Sequence, residues 1–242
     1  MRSHSWLVVF FLCLPLLQAD PPSILRIIRN ADQDTTRAGR SNILATVVAT
    51  TTDAGASEPW LFELLDSFAA LEDVDNMLPP VRLGAPYADE LVPGTTSSLA
   101  IYVRSLSHRS DEATKNLPKA RYFFVSIYRV RPGADPSFAD LVKMRRSRLE
   151  TINFDQPELA YQGIAGAPSG TYLFLTPLAS LKTFDEGVAK ASDSRGVSPA
   201  EHKLAAEVEL GHENFLLRID PARSVVPEEF ASADPDFWRA RR

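Results

Sequence analysis

Seven side chains hold most of the chemistry this sequence offers: Arg26, Glu63, Ser126, Tyr128, Tyr172, Thr176 and His212. All but His212 lie in apolar stretches that read as strands. In Tyr122–Arg131, alternation puts Phe123, Val125 and Ile127 on one side and Phe124, Ser126, Tyr128 and Val130 on the other. In Thr171–Thr176 it separates Leu173 and Leu175 from Tyr172, Phe174 and Thr176. The sets with polar tips are expected to face a ligand cavity, which tolerates them better than a helix interface does. Arg26 and Glu63 fall on the same proposed face, where a buried cation and anion must pair, bind something polar, or betray a wrong register.

His212, beside Asn214 and just before the last strand, has the residue type of a general base or a haem ligand. Its alternative role is a helix-end or surface histidine. His202 and His212 are ten residues apart, which fits no paired metal-ligand spacing on one helix face, so no metal site is expected. Lys143, Arg145, Arg146 and Arg148 form the densest basic run. The run could meet an anionic partner, but interleaved apolar positions make it the solvated side of an amphipathic helix. Gly166-Ala-Pro-Ser-Gly170 superficially resembles a nucleophile elbow, yet its serine is one place late and a strand follows. The sequence contains no phosphate-binding glycine loop, zinc-protease helix or dinucleotide fingerprint, and no catalytic residue is assigned.

The elements that position these residues follow from composition and pattern. The chain has 242 residues, 45% apolar and 24% charged, which suits a globular protein with a core. Twenty-six Lys and Arg against 31 Asp and Glu give a net charge of −5, which argues against binding nucleic acid by phosphate neutralisation. Arg2, the apolar run Trp6–Leu17 and the small residue Ala19 predict a secretory signal peptide cleaved near Ala19, with a secreted or periplasmic mature chain. The run is too short to cross a membrane, so no stable membrane anchor is expected. The single cysteine, Cys13, lies inside it, leaving a mature chain without thiols.

Tyr122–Arg131 reads as a strand ending at Pro132-Gly133, and Asp135-Pro136 opens a helix of about four turns. Two strands flank the reversal at Ala167–Gly170, a helix starts near Ser180, Ser198-Pro199-Ala200-Glu201 caps another, and Phe215–Ile219 is the last strand. This β-α-β-β-α-β order is the ferredoxin-like pattern. A weaker copy lies upstream: Ile24–Arg29 matches Phe124–Arg129, and Glu58–Phe68 matches Thr171–Leu181, with Ser98–Arg104 as its fourth strand and its first helix shortened or absent. The expected divisions are a signal peptide (1–19), a degenerate half (20–106), a polar linker (107–119), a second half (120–224) and a tail (225–242). Val81–Thr96 reads as a loop.

At RYFFVSIYRVRPG, at GAPSGTYLFLTPLASL and at the tail Val226–Trp238, the chain resembles uncharacterised secreted bacterial proteins with tandem dimeric α/β-barrel domains. More distantly it is similar to the antibiotic-biosynthesis-monooxygenase and NIPSNAP-type superfamily. The resemblance implies an α+β fold in which two tandem ferredoxin-like halves, the first degenerate, form an intrachain barrel. It carries over no activity, because that superfamily's catalytic residues find no matching positions here. The expected role is non-catalytic, with a small, partly apolar ligand between the two sheets and no cofactor. One alternative is a cofactor-independent monooxygenase-like enzyme with Tyr128, Tyr172 and Trp60 around an aromatic pocket; another is a haem-binding protein using His212. A third, an interaction protein, would act through the basic helix or the tail. Self-association stays open.

Overall fold

The computed structural model describes residues 20–30, 45–51, 58–76, 96–154, 156–193 and 196–239. The signal segment, the stretch 31–44 after the first strand, where the upstream copy's first helix is expected to be shortened or absent, and nearly all of the 81–96 loop lie outside the described residues. Four strands come early in the chain: β1 (Ile24–Arg29), β2 (Ala45–Thr51), β3 (Pro59–Leu65) and, after helix α1 (Phe68–Asn76), β4 (Thr96–Tyr102). Helix α2 (Ser110–Asn116) leads to β5 (Tyr122–Val130), α3 (Asp135–Thr151), β6 (Leu159–Ala165), β7 (Thr171–Leu178), α4 (Lys182–Asp193), α5 (Pro199–Val208) and β8 (Glu209–Val225). Two short helices, α6 (Glu228–Ala233) and α7 (Pro235–Trp238), end the chain.

The fold is α+β, built on one closed antiparallel barrel in the order β1-β3-β2-β8-β5-β7-β6-β4, with β4 returning to β1. Residues 24–102 supply one arc, β4-β1-β3-β2, and residues 122–225 the other, β6-β7-β5-β8. The arcs meet at two seams, β2 with β8 and β4 with β6, and the register shifts at both. Strand β8 pairs with β5 along Glu209–Arg218 and with β2 along Leu217–Val225, so it fastens one arc to the other. Closure leaves no long unpaired edge in the ring.

The interior is filled by the alternating set opposite to the one expected. Leu25, Ile27, Val47, Trp60, Phe62, Phe123, Val125, Tyr161, Leu173, Leu175 and Leu217 pack together there. Phe62 meets Phe123 edge-on at 5.3 Å between centroids. Phe138, Leu141, Tyr172, Phe174 and Val208 form a separate cluster between the outer face of the second arc and its helices. The expectation that Phe124, Ser126, Tyr128, Tyr172 and Thr176 line the interior is therefore corrected, and so is a ligand seat between the sheets. The interior takes the more apolar set, although the Trp60 Nε1 and the Tyr161 hydroxyl are buried there without a hydrogen-bond partner among the described residues, while the other set finds polar partners on the outer side of the sheet. Arg26 and Glu63 do pair, as opposite residues of the β1–β3 ladder forming a buried ion pair, but on the outer face. In the second arc the ladder sets Phe174 opposite Ser126, and Thr176 opposite Phe124. The upstream match of Thr176 with Glu63 was thus two residues out.

Local signals place the helices as expected. Gly170, at φ +76°, turns the β6–β7 hairpin where a Cβ would fall 2.4 Å from the Val130 carbonyl oxygen. Ser198 Oγ accepts from the Glu201 N–H at 3.1 Å and caps α5. The polar stretch 107–119 contains α2 followed by a tight turn, with Ala113 and Leu117 buried in the core. The tail is anchored by aromatics: Trp238 Nε1 donates to the Pro118 carbonyl at 2.6 Å, and the Arg121 guanidinium lies 3.8 Å from the Phe237 ring centre while pairing with Asp234 at 2.5 Å.

Candidate functional site

Between β5 and β8 on one side and α3 and α5 on the other lies a cavity of about 430 Å³. Strand pairing builds its floor. Tyr128 stands opposite His212 and Ser126 opposite Asn214, and all four side chains reach the helix side of the sheet. Helix α3 contributes Val142, Arg145, Arg146, Arg148 and Leu149, while α5 contributes Glu201, His202 and Ala205. The cavity thus combines an aromatic floor, aliphatic walls and a belt of charge.

The His212 ring stacks on Tyr128 at 4.1 Å with only 10° between planes. Its Nε2 lies 3.0 Å from Asn214 Oδ1, which also accepts from Ser126 Oγ at 2.7 Å. A carbonyl oxygen only accepts, so this network puts the imidazole proton on Nε2 and the lone pair on Nδ1. Partial burial of the ring, aided by the charge of Arg145, holds His212 below its ordinary pKa despite the opposing pull of Glu209 and Asn214. It is a neutral imidazole at neutral pH. Burial pushes the Tyr128 phenol up to about 12, so it stays protonated. The floor therefore presents one proton acceptor and one retained donor side by side.

The basic run is not a solvated face. Lys143 alone among its members is well exposed, with Asp140 3.0 Å away. Arg145 bonds Glu209 at 2.6 Å, reaches Glu201 at 3.7 Å and lies 5.2 Å from the Tyr128 ring centre. Arg148 forks onto Glu201 at 3.2 and 3.3 Å, and Arg146 holds Glu158 at 3.0 Å. Arg145 and Arg148 are three residues apart, one turn along the side of α3 that faces α5, where Glu201 waits. Burial raises the Glu158 carboxyl, with Arg146 pulling the other way. Cations and carboxylates nearly balance, so the belt orients polar groups without presenting a bare positive patch.

Of the seven residues singled out, Ser126, Tyr128 and His212 come together at this cavity. Thr176 lines a smaller neighbouring cavity of about 120 Å³. Tyr172 donates to Asp135 at 2.5 Å and packs on Phe138 as part of the helix–sheet interface. Arg26 and Glu63 lie on the other arc, in neither cavity. Trp60 is in the barrel interior against Phe62 and Phe215, so it forms no common pocket with Tyr128 and Tyr172. Sequence reading placed Arg145, Arg146 and Arg148 on a solvated helix face and Glu201 only in a cap, and it missed Glu158. Glu201 carried a signal, its place in the capping sequence, but its carboxylate turns to α3. The Nε2 of His212, the usual iron-binding atom, is occupied by Asn214. No group of three or more His, Cys, Asp or Glu among the described residues could hold a metal ion. No described helix is long and apolar enough to cross a membrane.

No family model matches the chain, and no curated protein matches it in sequence. Solved structures do. An anthrone oxidase-like protein aligns over 84% of this chain and 94% of its own at TM-score 0.55 and 11% identity. A provisionally named monooxygenase from Fusobacterium nucleatum covers 82% of this chain and 93% of its own at 0.49 and 11%, and another from Lactobacillus acidophilus 81% and 94% at 0.44 and 10%. At such identity the likeness concerns architecture alone: the chain has an α+β barrel fold similar to that of the anthrone oxidase-like protein.

Proposed function

We propose that this is an exported protein, built as two ferredoxin-like halves in one chain, that binds a small, partly apolar molecule between β5/β8 and α3/α5. The observation that carries the reading is the stacked Tyr128–His212 floor of a cavity of about 430 Å³ with aliphatic walls. Such a floor suits a flat ring, and the mixed wall matches the usual make-up of ligand pockets, apolar with a few placed polar groups. The matching strand orders of the two arcs support the reading as halves. Export rests on Arg2, the Trp6–Leu17 run and Ala19. Native mass spectrometry of protein from its own compartment is expected to show a co-purifying organic molecule on a chain lacking residues 1–19. His212→Ala is expected to release the molecule; an empty wild-type protein that also fails to bind small phenols ends the binding reading.

A second reading, a cofactor-independent oxygenase-like enzyme, is favoured by the neutral His212 with its lone pair on Nδ1. That atom could take a proton from an acidic ligand and leave an electron-rich anion for dioxygen. Anthrone is a suitable probe: its conversion by O₂ to anthraquinone and water would consume dioxygen and depend on His212. Binding without such consumption leaves the first reading standing and removes the second.

A further inference from the structure

The smaller cavity shares Phe124, Arg146, Leu149 and Glu158 with the larger one, so the two lie side by side under α3, with these four residues as the waist between them. Beyond the waist the character changes. Phe154, Leu178 and Phe184 line the second chamber, with Thr176 on its floor and Thr183 and Gln156 on its walls. Phe124 and Phe184 meet edge-on at 5.2 Å, joining the waist to that wall. The Arg146–Glu158 pair at the waist is internally neutralised at 3.0 Å, and Arg146 also donates to the Leu106 carbonyl. An uncharged chain can therefore pass it without stranding a lone charge.

We propose that the ligand has two parts: a flat aromatic head over the Tyr128–His212 stack, and a short alkyl tail that passes the Arg146–Glu158 pair into the chamber floored by Thr176. This rests on the binding reading above and adds the class of molecule. Phe124 and Leu149 then act as specificity residues, admitting an unbranched chain and refusing a bulky one.

The test is calorimetric titration of the full chain with 4-alkylphenols from methyl to pentyl. Affinity is expected to rise about fourfold per methylene until the second chamber is full, the gain for burying one CH₂. Thr183→Trp and Gln156→Trp, on two different and only partly buried walls, should each flatten that rise and leave 4-methylphenol binding as in the wild type. A flat series in the wild type, or a slope untouched by both variants, overturns the second chamber alone, provided 4-methylphenol still binds and loses affinity in His212→Ala. If 4-methylphenol does not bind, or ignores His212→Ala, the reading of the larger cavity falls with it.

Discussion

The outer faces of the two arcs solve one problem in different ways. On β1 and β3, Arg26 and Glu63 sit opposite each other and neutralise one another within the sheet. On β5 and β8, the polar side chains Ser126, Tyr128, His212 and Asn214 are overlaid by Arg145, Arg146 and Arg148 of α3, whose carboxylate partners come from α5 (Glu201), from β8 itself (Glu209) and from Glu158 just before β6. Over β5 and β8 the arginines of α3 reach to carboxylates on α5 and on β8, and a cavity lies between the layers that those long side chains join. The lesson is that a site arises where polar groups are shared between layers.

The largest break in that comparison is expected on the closed side. Glu63→Ala leaves Arg26 mostly buried opposite an apolar residue and should cost about 3 kcal/mol in denaturant unfolding, while Arg26→Leu with Glu63→Leu should recover most of it. Next is Glu201→Gln, which takes the carboxylate from both Arg148 and Arg145. We expect a loss of about 1–2 kcal/mol and a weaker hold on any ligand, read by unfolding and titration in parallel. His212→Ala should reverse that ratio. The ring is the exposed member of the Tyr128–His212 stack, so stability should change by under about 1 kcal/mol, whereas ligand affinity should fall about tenfold from the lost stacking surface.

The smallest effect concerns pH. A histidine held below its ordinary value binds fewer protons folded than unfolded, so its contribution is intact above the unfolded pKa, near 6.5, and fades as pH falls toward the folded one. The NMR midpoint of His212 should lie under 6.5 and move up in Arg145→Gln. An unchanged midpoint in that variant would mean Arg145 has no electrostatic hold on the ring.

Much of this architecture was legible because its signals are local. Alternation and the stops at Pro132-Gly133 and Gly170 gave β5 and β7, Asp135-Pro136 gave α3, and Ser198 gave α5. The cavity's floor was half legible, since Ser126, Tyr128 and His212 are polar or aromatic residues in otherwise apolar surroundings. Which way that face points was not, because period-two alternation is symmetrical and only the packing of the opposite set decides. The charged belt was hidden for a related reason: Arg145 and Arg148 look solvated until α5, more than fifty residues later, brings Glu201 against them. Strand β2 had no partner pattern in the sequence and was found only through its ladders to β3 and β8.

Strand β8 fastens both arcs, and it is the last of the described strands. Until β8 has been made, β2 and β5 each lack the strand that covers one of their hydrogen-bonding edges in the finished barrel. The nascent polypeptide is therefore open to unwanted strand pairing at those two edges until β8 arrives.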